Sequence, residues 1–454
     1  MLTTPSTPVR LATLALLLPA AVFAQGRFLV KVRGDIGPVA QRNQVTVLKA
    51  LSGSASGMYV LSAPRGADAR QLLRNLAADA AVQSAEPEKP VKLPGLASSV
   101  NPNPSGIPSA STRLDGTPVF YYNSFAAAAY VNQQAGAIVG LARAHALSDG
   151  SGIRVAVIDT GIDRFQPVLF TSIAEGYDFV NNRPGGQEVA DINQETTPIL
   201  DQETTPILDQ ETTPILDGGS AIILQQETTP ILDQETTPIL DSKIYPAFGH
   251  GTMVSGLVHL VAPRALLMPV RVFGANGAAT ISQIVDGIYW AVDHGAGVIN
   301  MSFSTTQDSP ALAAAIDYAA RKGVICVAAA GNNGQAMPVW PAAYDSVIGV
   351  GSTDNFLTRS LFSNYGTPPV TLAAPGEGDV TVYPGNHYAQ VWGTSFSAPL
   401  VAGGAALLLD LSGRVDSGDA AKALANAQYI GQQMGAGELN LYQACLAVKQ
   451  KKYN

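Results

Sequence analysis

Charge and cysteine are both scarce in this chain. Of its 454 residues only 14% are Asp, Glu, Lys or Arg and 46% are hydrophobic, against about 25% charged in an average soluble domain. That balance excludes a disordered chain or an extended coiled coil and leaves ample apolar side chains for a large buried core. Two cysteines, Cys326 and Cys445, are too few for a disulfide scaffold. They are either one disulfide or two buried thiols, since Cys326 sits in the apolar stretch GVICVAAA and Cys445 in the helical run LYQACLAV. After the N-terminus no apolar run reaches the ~20 residues of a bilayer span without glycine or charge, so no membrane span is expected in the mature chain. An excess of base is missing as well. The formal charge is −8, yet the octet QETTPILD occurs five times between Gln194 and Asp241 and supplies −10, leaving the rest at +2. The acidity is local, and neither a nucleic-acid partner nor an acidic substrate follows from it.

What is present begins with an export signal. Arg10 precedes the apolar run Leu11 to Ala24, which ends in the small-residue exit Val22-Phe23-Ala24, the pattern of a secretory signal cleaved after Ala24. The expected location is therefore extracellular or periplasmic. Residues 26–93 read as a small α+β module, with short strands GRFLVKVR and GMYVLSAP, the amphipathic helix ADARQLLRNLAADAAV and a further extended piece VQSAEPE. Residues 94–128, rich in Pro, Ser, Gly and Asn as far as Pro118, read as an exposed linker open to proteolysis. From 129 to 454 the pattern changes. Apolar runs VAVI, ALLMPVRV, GVINMSF, GVICVAAA and SVIGVGS alternate with helical segments such as ISQIVDGIYWAVDHG and SPALAAAIDYAARKG. Continuous apolar strands alternating with helices predict an α/β domain whose parallel sheet is flanked by helices on both faces. The repeat block 194–241 carries a proline in every octet, which opposes a helix. It reads as a surface insertion from recent duplication, with a binding arm or a short stack of β-turns as the other readings.

Four short motifs could carry chemistry, and each alone has a plain structural explanation. Asp159 ends the run VAVIDTGID, where open α/β sheets collect functional groups, but an Asp there can equally cap a turn. A second DTG-like motif, the DSG at Asp416, leads into the helical pattern DAAKALANA, so a two-carboxylate protease site is rejected. His250 in FGHGTMVSG is the one histidine of five set among glycines that let backbone approach closely. His250 and His259 are nine residues apart, not the i, i+4 of a helical metal pair, so no catalytic zinc is expected. Ser395 in VWGTSFSAPLVAGGAALLL stands at the start of a long small-residue helix, where it could serve only as a cap. Asn332 in VAAAGNNG follows an apolar strand and offers an amide that could donate to an oxyanion, though GNNG is also an ordinary turn.

Taken in the order Asp159, His250, Asn332, Ser395, with HGT, AAGN and GTSFSAP around them, the four motifs resemble the subtilisin-like serine protease family. The resemblance runs from about Tyr130 to Leu446. It implies a subtilisin-like α/β domain acting as an endopeptidase on polypeptide substrates, with Asp159, His250 and Ser395 as a catalytic triad and Asn332 in the oxyanion hole. It further implies that Ser302, Phe303 and Ser304 pair with the substrate backbone and that Ala329, Ala330 and Gly331 line the primary specificity pocket. Residues 26–93 resemble the family's inhibitory propeptide, so the expected product is a self-processing zymogen and a monomer, its own prodomain acting as intramolecular inhibitor. No cofactor is required. Calcium, which family members often bind, remains open because no dense ligand loop is visible. Met253 replaces the usual second histidine, and Ser304 stands where the family commonly has glycine, which would narrow the pocket. Asp159 and His250 are 91 residues apart, and removing the 48 residues of 194–241 leaves 43, an ordinary family spacing. The rival reading is a non-catalytic exported binding protein on the same fold, with the repeat arm as its working part.

Overall fold

A computed structural model of the protein describes residues 26–93, 114–188, 222–223, 247–413 and 417–451. The signal segment 1–24, the linker from 94 to 113 and the octets themselves lie outside the described residues.

Residues 26–93 form a four-stranded antiparallel sheet. Its strands are β1 (Arg27–Val32), β2 (Thr46–Ala50), β3 (Met58–Ser62) and β4 (Val82–Pro87), in the order β2-β3-β1-β4. Helices α1 (Ile36–Asn43) and α2 (Ala69–Ala78) are each started by an aspartate whose carboxylate accepts first-turn N–H groups, Asp35 for α1 and Asp68 for α2. The alternation of β1 places Phe28 and Val30 in one small core with Leu72, Leu73 and Leu76 of α2. A short strand β5 (Pro90–Lys92) follows.

Residues 114–128 are not open linker. Strands β6 (Pro118–Tyr121) and β7 (Ser124–Ala127) pair as a hairpin, because Tyr121 is buried in the main core and its hydroxyl donates to the Leu260 carbonyl at 2.6 Å. The linker expected across 94–128 therefore ends in packed structure.

The large domain is built on an eight-stranded sheet. Its strands are β8 (Arg154–Asp159), β9 (Tyr177–Asp178), β10 (Arg183–Pro184), β12 (Leu266–Arg271), β14 (Val298–Met301), β15 (Ile325–Ala329), β16 (Val347–Thr353) and β17 (Leu372–Pro375), in the order β10-β9-β12-β8-β14-β15-β16-β17. All neighbours are parallel except the β9–β10 pair. Between β10 and β12 lie β11 (Ile222–Ile223), from the spacer inside the repeat block, and helix α3 (His250–Val261). Short helices at Ala128–Val131, Gln134–Ile138 and Leu141–His145 precede β8, and the further elements used below are β13 (Ala278–Thr280), α4 (Ile281–Asp293), α5 (Pro310–Arg321), the hairpin β18 (Glu377–Tyr383) and β19 (His387–Trp392), and the helices α6 (Thr394–Ser412), α7 (Ser417–Leu424) and α8 (Leu441–Lys451). The backbone of β11 pairs parallel with β19.

Both faces of the sheet are covered, as its continuous apolar strands require. Along β8, Val155 and Val157 face one core with Val254 and Leu257 of α3 and Leu400 and Leu407 of α6. Ala156 and Ile158 face the opposite core with Ile284 and Val285 of α4 and Leu312 and Ile316 of α5. Helix α6 is long and apolar enough to cross a membrane, but it is buried within the domain. Its small residues let α3 come close, since a Cβ on Gly403 would stand 2.6 Å from that of Val261. Cys326 and Cys445 are both buried free thiols. Burial pushes each thiol up to about 12, which leaves them unreactive packing groups.

Candidate active site

Strand β8 has β12 on one side and β14 on the other, so the crevice at its carboxyl end is a switch point of the kind where open α/β sheets place their polar groups. Asp159 is the last residue of β8 and is fully buried. His250 opens α3, after Gly249 turns the chain with φ +87°. The two side chains meet, His250 Nδ1 lying 2.8 Å from Asp159 Oδ1. The same oxygen accepts the Thr160 N–H at 2.7 Å, so the carboxylate is fixed from two directions and imposes the Nδ1–H tautomer on the imidazole. That leaves His250 Nε2, which is buried and has no hydrogen-bond partner, as the basic nitrogen. Burial lowers the His250 pKa, but the Asp159 charge and hydrogen bond outweigh it, with a further contribution from Glu188, and the net shift is upward.

Ser395 is the second residue of α6 and is fully buried. Its Oγ donates to the Ser302 carbonyl at 3.1 Å, while Ser302 Oγ donates back to the Ser395 carbonyl at 2.7 Å. The end of β14 is thereby tied to the first turn of α6. Asn332, in the loop after β15, accepts from Thr394 N at 2.9 Å and Thr394 Oγ1 at 2.8 Å through Oδ1. With the carbonyl side thus occupied, Nδ2 is the end that faces away, and it is buried without a partner. An oriented amide donor beside a helix N-terminus can stabilise an anion formed at Ser395.

The expected substrate-contacting residues divide. Ser302 belongs to the link just described. Phe303 is wholly buried in the core and packs on Phe273 with ring centroids 5.3 Å apart, so of this residue only the backbone could meet a ligand. Ala329 and Ala330 are buried, and Gly331 adopts φ +91°. A Cβ on Gly331 would meet Asn364 Nδ2 at 2.7 Å and Ser304 Oγ at 3.2 Å, so Ser304 stands directly beside the Gly331 turn. Among the described residues no three His, Cys, Asp or Glu side chains are grouped as metal ligands, and no residue is assigned to calcium.

Several groups that hold this site carried no local sequence signal. Arg271, opposite Asp159 in the β12–β8 register, is fully buried, donates from Nε to the Thr160 carbonyl at 2.9 Å and pairs with both Asp178 oxygens at 3.0 Å. Glu188, fully buried, accepts from Thr160 Oγ1 at 2.5 Å and from Gly249 N, Thr252 N and Thr252 Oγ1 at 3.0 Å each. Only its fold-dependent neighbours distinguish it from any other loop glutamate.

A helix-covered parallel sheet that gathers these groups at the carboxyl ends of β8, β14 and β15 is the subtilisin-like α/β architecture. A model of the subtilase family matches residues 150–434, and the chain belongs to that family. It is 36% identical over 258 residues to a thermophilic serine proteinase from Bacillus sp. (strain AK1), a match covering 57% of this chain and 52% of that protein. It is 32% identical over 311 residues to thermitase from Thermoactinomyces vulgaris, covering 66% of this chain and 90% of thermitase. Of the first of these relatives it thus spans about half the length. Among solved structures, fervidolysin from Fervidobacterium pennivorans, a keratinolytic enzyme related to subtilisin, shares the fold with TM-score 0.65 at 21% identity, over 93% of this chain and 61% of that one.

Proposed function

We propose that the protein is a secreted serine endopeptidase, made as a self-processing zymogen, in which Asp159, His250 and Ser395 form the catalytic triad. The observation that carries this reading is the buried His250–Asp159 hydrogen bond with His250 Nε2 left free. In the reaction, Ser395 Oγ leaves the Ser302 carbonyl and attacks the scissile carbonyl carbon while its proton passes to His250 Nε2. Asp159 stabilises the imidazolium. The tetrahedral oxyanion accepts from Asn332 Nδ2 and the Ser395 N–H. His250 then protonates the leaving amine as the C–N bond breaks, and water, deprotonated by His250, hydrolyses the acyl-enzyme. Because the His250 pKa is raised, activity increases as pH rises through that value and the imidazole becomes a free base.

The zymogen half of the reading rests on how residues 26–93 sit. Glu86 accepts from Ser309 Oγ and Ala311 N at 2.9 Å, and Glu88 from Ser282 N at 3.0 Å, so a carboxylate at the end of β4 and one just after it cap the starts of α5 and α4. Strand β5 then pairs antiparallel with β13, and Leu93 N donates to the Gly277 carbonyl at 3.0 Å. An extended segment pairing its backbone with a strand of the large domain is a peptide-like binding mode, consistent with a prodomain whose tail is led along the domain before being cut. Export rests on the signal-like residues 1–24.

The test is labelling of the purified secreted protein with a fluorophosphonate probe, with Ser395→Ala as control and mass following the loss of the N-terminal segment. Labelling of a shortened wild-type form, with a full-length and unlabelled Ser395→Ala, is the expected result. A folded, shortened wild type that takes no label would instead favour the non-catalytic binding protein.

A further inference from the structure

We propose that Glu188 is a positioning residue of this site, its carboxylate locking the end of β8 that carries Asp159 to the first turn of the helix that carries His250. The inference rests on the endopeptidase reading above and adds a residue to it. Four donors converge on Glu188, two on each oxygen. Thr160 Oγ1 and Gly249 N reach Oε1, and Thr252 N and Thr252 Oγ1 reach Oε2. Thr160 adjoins Asp159, and Gly249 and Thr252 bracket His250. One carboxylate therefore spans both halves of the Asp159–His250 pair without touching either side chain.

The hydroxyls fix the direction of these bonds. Thr160 Oγ1 accepts the Gly251 N–H at 2.9 Å and Thr252 Oγ1 accepts the Asp163 N–H at 2.8 Å, so each has its own hydrogen available for a carboxylate acceptor. An ionised Glu188 satisfies all four donors at once, and two of them are orphan N–H groups at the start of α3. A protonated or amide side chain would put a hydrogen against a donor. The ionisable groups around it are Asp159 at the end of β8, His250 in α3, and Tyr383 at the end of β18, with Arg271 beyond the Thr160 carbonyl. Burial pushes Glu188 up to about 7, the Asp159 charge adding to the rise against the hydrogen bonds that lower it. Its charge in turn raises His250. Glu188 and Gly249 also flank in sequence the segment that contains the repeats 194–241. The same bond that aligns the histidine thus closes the base of the repeat-bearing insertion.

The experiment uses mature wild type, Glu188→Gln and Glu188→Asp, with active sites counted by fluorophosphonate titration and folding checked by thermal melting. Glu188→Gln should lower kcat per titrated site by on the order of tenfold or more with KM nearly unchanged, because misaligned groups cost rate and not ground-state binding. Its acidic limb should also move to lower pH, since a negative charge near His250 is gone. Glu188→Asp keeps that charge and should retain the wild-type limb with a smaller loss of kcat. Folded Glu188→Gln with wild-type kcat and limb overturns the proposal. So does a variant that melts early yet turns over normally at each titrated site, which would make Glu188 structural only. If Glu188→Gln does not fold, Glu188→Asp decides by the same two readings. A wild type that neither labels nor hydrolyses peptide would sink the endopeptidase reading itself.

Discussion

Two helices meet at the site, and their N-termini are treated in opposite ways. Helix α3 begins with its early N–H groups occupied: Gly249 and Thr252 donate to Glu188, and Gly251 to Thr160 Oγ1. Helix α6 begins beside Asn332, whose Oδ1 is held by Thr394 while its Nδ2 is left without a partner. A helix N-terminus carries roughly half a positive charge. At α3 that charge is met by the buried carboxylate of Glu188, which accepts from N–H groups on either side of the histidine. At α6 it is left unmet, beside an amide donor that has no partner. On the endopeptidase reading proposed above, the closed end would supply geometry and the open end differential stabilisation of the transition state.

The largest effect should come from spoiling the closed side at its core. Asp159→Asn preserves shape but lets an amide donate to His250 Nδ1, which favours the wrong tautomer and leaves Nε2 protonated. A drop of about 10⁴ in kcat is expected, by analogy with other serine protease triads. Kinetics on a peptide substrate with titrated active sites check it, and a loss below about tenfold would mean that Asp159 does not set the tautomer.

Spoiling the open side should cost less. Asn332→Ala removes one oxyanion donor, for which about 10²–10³ in kcat is expected with KM almost unchanged. Thr394→Val keeps the backbone bond to Asn332 Oδ1 but removes the Oγ1 one, loosening the amide's orientation, and its loss should lie between wild type and Asn332→Ala. If Thr394→Val were as damaging as Asn332→Ala, orientation would matter more than the donor itself. An increase in KM without a fall in kcat for Asn332→Ala would place the amide in ground-state binding instead.

The difference between the two ends also decides what could be read before folding. Asp159, His250, Asn332 and Ser395 each sit where an apolar run or a glycine cluster stops, so local pattern marks them. The strands that carry the site are legible for the same reason: VAVI lies in β8, and ALLMPVRV and GVICVAAA contain β12 and β15. Glu188 lies 61 residues before its partner Gly249, beside a repeat block that hides any spacing signal, and Arg271 looks like one more cation until β12 pairs with β8. In the small sheet, the strand β2 has no sequence signal, because its TVLKA faces are largely exposed and show no apolar alternation. The hairpin at 118–127 follows directly on a proline-rich stretch whose composition hides its short strands. The side chain of Phe303 belongs to the core, which leaves its expected backbone pairing with substrate untouched.

Helix α3 offers the finest version of the comparison, because it carries a second histidine at its far end with no carboxylate beside it. His259 is buried, with Nδ1 3.3 Å from Tyr130 Oη, and Tyr130 spends its own hydrogen on the Gly256 carbonyl at 2.7 Å. Burial pushes His259 down to about 4, the nearby His145 adding to the fall, whereas His250 is raised. The linkage sign follows. His259 is neutral in the folded protein and takes a proton on unfolding below about pH 6.5, so its contribution to stability is complete above that value and declines as pH falls toward 4. The slope is about 1.4 kcal/mol per pH unit, or roughly 3 kcal/mol over the window. His259→Gln keeps a donor for Tyr130 and cannot titrate in this range. Its melting temperature should therefore drop less than that of wild type between pH 7 and pH 5, with activity per titrated site unchanged at pH 8. Equal drops in the two proteins would mean that His259 is solvated enough to titrate normally, and that burial in the core of α3 does not by itself hold a histidine neutral.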